Sequence, residues 1–266
     1  MKTKSGTAII TGASSGIGEA YATRLAARGH DLVLVARNKD RLSLIAEEIR
    51  DAHKLVVETL VADIATPSGC AKVEQLFREH PGITMLVNNA GMGAMGEVGA
   101  IDVAKLEQLV NLNVLALTRL SHAALVKFRA QGSGTLVNIG SVIAFRAAAN
   151  AAAYSGSKAY VLNFTRSIQL ECEGTAIRIQ VVLPGPVRTS FFDAAGTDQS
   201  MFPEESFVDP GDVVDAALIG LDAGEPVCIP TLPDIRDWES VAAASQQLRD
   251  AAGERGIIAD RYRKMK

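Results

Sequence analysis

The stretch TAIITGASSGIG, residues 7–18, sets the reading of the whole chain. Its first five residues are apolar or β-branched and suit a buried strand. Three glycines follow in the pattern G-x3-G-x-G, at Gly12, Gly16 and Gly18, and a helical pattern begins at residue 17. A strand that turns on glycine straight into a helix lets the backbone approach a ligand closely and packs the helix tightly on the sheet. The first amides of that helix have no partner within it, and the helix dipole favours an anion there, such as a pyrophosphate. A glycine-rich turn with no ligand is the bland alternative. The order strand, turn, helix within a first βαβ unit argues for a dinucleotide, contacted by Gly12, Ser14, Ser15, Gly16, Ile17 and Gly18.

The rest of the chain repeats the unit. Runs rich in Val, Ile and Leu at 31–36, 55–62, 84–89, 134–140 and 177–185 look like strands buried on both faces. Between them, residues 17–28, 39–52, 67–80, 102–130 and 151–173 carry helical periodicity; Leu42, Ile45, Ala46 and Ile49, for example, share one face. EPVCIP, 225–230, adds an edge strand bracketed by prolines. The alternation predicts an α/β fold, a doubly wound parallel sheet of about seven strands with helices on both faces, in one domain over 1–266. Residues 186–212, rich in Phe, Pro, Gly and acidic side chains, read as a substrate loop with short helices. Residues 234–264 read as a helical C-terminal extension.

Composition narrows the function. The chain has 266 residues, 48% hydrophobic and 21% charged, with a net charge of −3. That balance fits a globular protein and gives no field to recruit nucleic acid or anionic lipid. Cys70, Cys172 and Cys228 are odd in number and widely spaced, which fits a reducing compartment better than a disulfide framework. His30, His53, His80 and His122 form no metal-binding spacing, so no metal is expected. The first apolar run is too short for a signal peptide, and no uninterrupted apolar stretch looks long enough to span a bilayer. The expected location is cytoplasmic, with no membrane partner.

AAAYSGSKAY, residues 151–160, carries the chemistry. Tyr154 and Lys158 lie one helical turn apart and share a face. A phenol titrates near 10, and a neighbouring ammonium favours the phenolate, moving tyrosine toward a useful general acid/base. An isolated Tyr-x-x-x-Lys pair is weak evidence by itself.

With the G-x3-G-x-G turn and the Tyr-x-x-x-Lys pair both present, residues 5–230 resemble the short-chain dehydrogenase/reductase family in its single-domain, Rossmann-type form. The resemblance implies an oxidoreductase that moves hydride between a nicotinamide cofactor and a carbonyl or secondary alcohol. Ser141, in VNIGS, lies thirteen residues before Tyr154, at the family's serine position, and would hold the substrate oxygen. Tyr154 would exchange the proton, and Lys158 would bind the nicotinamide ribose and depress the tyrosine. Asn113, in NLNVLALT, would complete the catalytic set by holding a water that links Lys158 to solvent; Asn111 is the competing choice. Asp63 and Ile64 match the adenine-side position, and Asn89, Ala90 and Gly91 of NNAG match the cofactor-side turn, with Asn88 mainly structural. Pro184, Gly185, Val187 and Thr189 of LPGPVRT match the nicotinamide-side loop.

At the end of the second strand, where an acid would grip an NAD ribose, the chain has Ala36 and Arg37. A guanidinium there pairs with a 2′-phosphate, so NADP(H) is expected ahead of NAD(H). The chain departs from the family pattern at Ser15, where many NADP users carry a basic residue, and at Gly140, where many relatives have serine. No proline precedes Tyr154. Met92, Met95, Phe145, Phe191, Phe192, Phe202 and the alanines at 147–153 suggest an apolar substrate, though core or loop packing explains each of them equally well. The helices at 102–130 and 151–173 match those through which the family forms dimers and tetramers. The runner-up reading is a catalytically silent dinucleotide-sensing or scaffold protein; a methyltransferase is third and leaves the Ser-Tyr-Lys set unexplained.

Overall fold

The computed structural model describes residues 5–196, 198–254 and 256–263. It divides into two compact units, Met1–Pro230 and Thr231–Lys266. In the first unit, the strands are β1 Thr7–Thr11, β2 Asp31–Ala36, β3 Val57–Val61, β4 Ile83–Asn88, β5 Ser133–Ile139, β6 Ala176–Val182 and β7 Val227–Cys228. They pair in the order β3-β2-β1-β4-β5-β6-β7, every neighbour parallel. Strand order reverses between β1 and β4, which opens a crevice at their carboxyl ends.

Residue alternation along the strands sorts the core into two layers. Ile10, Leu34 and Val137 face α1 (Gly16–Ala27), α2 (Lys39–His53) and a helix at Pro210–Asp222, meeting Leu25, Leu42 and Leu218. Ile9, Val33, Leu86 and Leu136 face α3 (Pro67–Glu79) and the later helices, meeting Phe77, Leu120 and Phe128. Local signals set the helix ends: Asn38 and Thr66 accept hydrogen bonds from Arg41 and Gly69 amides at the starts of α2 and α3.

The run expected at 102–130 is α4 (Val103–Val110), a π-helical turn at Asn111–Ala116, and α5 (Leu117–Gln131). At 29 residues and a mean hydropathy of 1.4 in its apolar window, it is long and apolar enough to cross a membrane, contrary to the sequence expectation. Its apolar face is used otherwise: Leu120, Ala124 and Phe128 are fully buried with the sheet residues of their layer. After α6 (Ala152–Glu171) and β6, the loop at 186–212 holds α7 (Phe191–Ala195) and two 3-10 turns, and its end is already α8 (Pro210–Asp222). Pro210 and Gly211 open α8 and disguise it as loop, while the Asp209 carboxylate accepts from the Gly211 amide and starts it.

The second unit, by itself, contains α9 (Ile235–Gly253) and a 3-10 turn at Asp260–Tyr262; residue 264 of the expected extension lies outside the described residues. Asp234 caps α9, whose residues are nowhere fully buried.

Phe128 is fully buried, 6.5 Å from the Phe77 ring and over Gly134, where an added Cβ would stand 2.2 Å from Phe128. Phe128→Ala is expected to cost about 3–5 kcal/mol in urea unfolding, the range for emptying a well-packed aromatic site.

Candidate active site

The glycine turn is built on close approach. Gly12 and Gly16 have φ of 66° and 55°, a region that favours glycine. A Cβ at Gly18 would lie 2.2 Å from the Gly12 carbonyl oxygen, and one at Gly12 would lie 2.8 Å from Asn89 Nδ2. Ser15 precedes α1 in extended conformation, and its side chain makes no hydrogen bond to the first turn. The amides there keep their donors for an anion. The residues thus fit a dinucleotide: backbone at the turn, open amides above it, and the sheet crevice alongside.

The end of β4 is stitched to this turn. The Thr11 hydroxyl accepts from the amides of Asn89 (3.0 Å) and Ala90 (3.1 Å). Asn89 Nδ2 donates to the Thr11 and Gly12 carbonyls at 2.9 and 3.2 Å. Asn89 therefore spends both amide hydrogens on holding the turn. Asn88 is buried and donates to Ser121 and Asn138. Asp63 accepts from the Ala65 amide, while the Ile64 side chain belongs to the core. Arg37 is exposed at the end of β2 and forms no hydrogen bond or ion pair with a described residue.

Ser141 follows β5, and Tyr154 and Lys158 stand on α6, as the one-turn spacing requires. Ser141 Oγ accepts from the Ile143 amide and donates to the Pro184 carbonyl, tying the serine to the loop after β6. Tyr154 is 9% exposed. Burial pushes its hydroxyl up to about 12, opposed by the hydrogen bond with Ser141. Lys158 is buried and donates to the Ile139 carbonyl at 2.9 Å, and its Nζ stands 5.8 Å from the Tyr154 ring centroid. Burial pulls its ammonium down to about 8. The sequence suggested that Lys158 would depress the tyrosine; in the structure desolvation of both groups prevails, and the ammonium is turned to a backbone carbonyl.

Asn113 lies in the π-helical turn and is buried. Its Oδ1 accepts from the Met92 amide at 2.9 Å, and its Nδ2 donates to the Met92 carbonyl at 2.9 Å and to Ser157 Oγ at 3.1 Å. Ser157 in turn donates to the Tyr154 carbonyl at 2.7 Å. Asn113 thus locks the loop after β4 to α6. A Cβ at Gly91 would meet Asn113 Oδ1 at 3.4 Å and Lys158 Nζ at 3.6 Å, so these three positions converge. Gly140 is explained by Leu183, which would stand 2.4 Å from a Cβ there.

The loop after β6 closes over this group. Pro184 and Val187 are buried, and Val187 bridges to Val208. A Cβ at Gly16 would meet Thr189 Cγ2 at 2.7 Å, which places Thr189 against the glycine turn; Gly185 is half-buried between them in sequence. Phe191 lies 5.5 Å from the Tyr154 ring, and Met92, Met95, Ile143 and Ala153 pack in the same cluster. Phe192 and Phe202 pack on Phe207 instead, and Phe145 is largely exposed. Thr11 and Ser157 escaped the sequence reading. Hydroxyls that serve backbone groups leave no spacing signature, and both were visible only as ordinary polar residues beside motifs.

Fold and site together define a dinucleotide-binding oxidoreductase architecture. The family model described as short chain dehydrogenase matches residues 6–200, and the chain belongs to that family. Among solved structures, a short-chain dehydrogenase from Sphingobium yanoikuyae in complex with NADPH is 42% identical, with a TM-score of 0.92 over 97% of this chain and 100% of that one. A bulky-bulky ketone specific alcohol dehydrogenase from Comamonas testosteroni is 38% identical, with a TM-score of 0.89 over 98% of this chain and 99% of that one. An uncharacterized oxidoreductase from Staphylococcus saprophyticus is 32% identical over 80% of this chain and 90% of its own length.

Asn113→Ala removes three hydrogen bonds and strands the Met92 backbone groups. It is expected to lower unfolding stability by about 2–4 kcal/mol, read by urea titration. A second outcome concerns pH. Lys158 has a folded value lowered from 10.5 to about 8, so the penalty of its buried charge is full below 8 and is relieved as pH rises toward 10.5. Relative to Lys158→Met, the wild type should gain stability between pH 8 and 10, compared by denaturant unfolding at each pH.

Proposed function

We propose that the protein is an NADP(H)-dependent oxidoreductase that interconverts bulky apolar ketones and secondary alcohols. The observation that carries this reading is the buried Tyr154 hydroxyl, with Ser141 as its polar neighbour beneath an apolar wall and Lys158 one turn along the same helix. The nicotinamide, when bound, supplies or accepts hydride at its C4 carbon. The protein's own groups do the rest. Ser141 orients the carbonyl or alcohol oxygen, and Tyr154 gives up its proton as the alkoxide forms, or takes it in the reverse direction. A phenol held near 12 by burial keeps its proton until charge develops on a neighbouring oxygen, which suits a general acid. Lys158, buried in the same pocket with its ammonium on the Ile139 carbonyl, is the group to hold the ribose hydroxyls. Asn113 and Ser157 fix the helix that carries both.

Support for NADP(H) over NAD(H) comes from Arg37, a guanidinium without a hydrogen bond or ion pair to any described residue where an acid would favour NAD, and from the NADPH bound by the Sphingobium yanoikuyae relative. Support for bulky ketones comes from Phe191, Met92, Met95 and Ile143 around Tyr154, and from the specificity of the Comamonas testosteroni relative. The same reading makes the protein a cytoplasmic homodimer or homotetramer, consistent with exposed Val110, Leu115, Val126 and Leu170 on α4, the π-turn, α5 and α6.

The test is NADPH oxidation against ketones of increasing bulk on both sides of the carbonyl. Tyr154→Phe should lower kcat by about 10²–10⁴, the scale of general acid catalysis, while NADPH binding by fluorescence is retained. Near-normal turnover in that variant overturns the mechanism. NADPH binding with no turnover of any ketone would favour the silent, dinucleotide-sensing reading. Phe191→Ala, which uncovers the Tyr154 ring, should shift kcat/KM toward the bulkier ketones.

A further inference from the structure

At the amino ends of the strands, away from the crevice that holds Tyr154, the first unit has a cavity of about 320 Å³. Met85 on β4, Thr135 on β5 and Arg178 on β6 line it and stand side by side in register. Register neighbours on parallel strands present their side chains to one face. Arg28, just after α1, and Asp222, at the end of α8, line it from the helix layer and are joined by an ion pair of 2.8 Å. His30 lines it from the turn before β2.

The polar groups of this cavity are only partly used by the fold. His30 Nδ1 is buried without a hydrogen-bond partner. Arg178 gives one hydrogen bond, from Nη2 to Thr135 Oγ1 at 3.3 Å, and forms no ion pair with a described residue. Arg28 spends Nη1 on the Asp222 carboxylate, which leaves its Nε and Nη2. The helix-end carbonyls nearby are already served. Leu25 accepts from the Arg28 and His30 amides, and Leu221 accepts from the Gly224 amide.

Charge and shape point to one kind of ligand. The lining holds two guanidinium groups against one carboxylate, so it is positive before His30 is protonated. The charges facing His30 are Arg28, Arg178 and Asp31, with Asp222 behind Arg28. Burial and the Arg28 charge hold the His30 imidazole below the usual histidine range, and an anion beside it would favour the protonated ring. Leu25, Met85, Leu218 and Leu221 supply an apolar wall. A bare inorganic anion gains nothing from that wall, whereas an acid with an apolar body uses both halves of the cavity.

We propose that this cavity binds a small organic acid, its carboxylate against Arg28, Arg178 and His30 and its apolar body on Met85 and the leucines of α1 and α8. The site is separate from Tyr154 and Lys158 and does not depend on the cofactor or substrate assigned above. Protonated His30 donates from Nδ1 to the carboxylate, so a proton is taken up with the ligand.

Calorimetry with benzoate, benzamide and inorganic phosphate tests this on wild type, Arg178→Ala, Arg178→Lys and His30→Gln, with urea unfolding of each variant alongside. Benzoate should bind wild type at least about tenfold more tightly than neutral benzamide, and more tightly than phosphate. Arg178→Ala should weaken benzoate by about tenfold, the scale of a lost charge-assisted hydrogen bond, and Arg178→Lys should keep part of the affinity. Wild-type affinity should rise from about pH 8 to about pH 5.5, and His30→Gln should abolish that rise. Equal binding of benzamide or phosphate overturns the proposal. So does benzoate binding that Phe191→Ala weakens and Arg178→Ala spares, which belongs to the pocket around Tyr154. If both Arg178 variants lose urea stability and benzoate affinity together, the arginine is structural and the proposal fails.

Discussion

The contact between the Gly12 carbonyl and Gly18 is the constraint on which the remaining geometry depends. It brings the end of β1 and the start of α1 closer than any side chain would allow. The same closeness lets Asn89 reach across the crevice and bond two backbone carbonyls of the turn, while Thr11 holds the Asn89 and Ala90 amides from below. The first strand and the fourth are thus locked edge to edge where strand order reverses. The crevice that results has open amides on one side and Tyr154 and Lys158 of α6 on the other.

Buried hydrogen bonds carry that order from the sheet to the chemistry. Asn88 links β4 to Ser121 on α5 and to Asn138 on β5, and Asn138 donates to Thr165 on α6. Asn113 and Ser157 make a second link, from the loop after β4 to the Tyr154 carbonyl. Each bond adds only about 1 kcal/mol net, but an orphaned buried partner costs about 1–3 kcal/mol, so the arrangement resists partial loosening. Tyr154 and Lys158 are held in a pocket so dry that burial, not their mutual field, decides their titration.

The pocket's two ends are treated differently. Around Tyr154, Phe191 and its neighbours exclude water, which strengthens every polar interaction made there. Past the end of β2, Arg37 and Arg41 are exposed, where a cation keeps its hydration and carries no cost of burial. One fold thus provides a desolvated pocket around Tyr154 and hydrated cations after β2.

Much of this was legible in the residues. Apolar runs without alternation implied strands covered on both faces, as the interior strands of the parallel sheet are, whereas β3, at the sheet edge with one neighbour, is largely exposed. The glycine spacing marked the first βαβ turn, and Tyr154 and Lys158 were one helical turn apart by arithmetic alone. Tertiary structure decided what spacing cannot encode. It paired Asn113 with Met92 and Ser157, residues distant in sequence, and placed Leu183 where a side chain at Gly140 would stand. It used the apolar run at 103–131 as a core helix, and made a helix of a stretch whose Pro210 and Gly211 looked like loop. It also reversed the expected titration of Tyr154. Period and motif are local properties of a chain; burial, close approach and the partner of a polar group exist only once distant segments have packed.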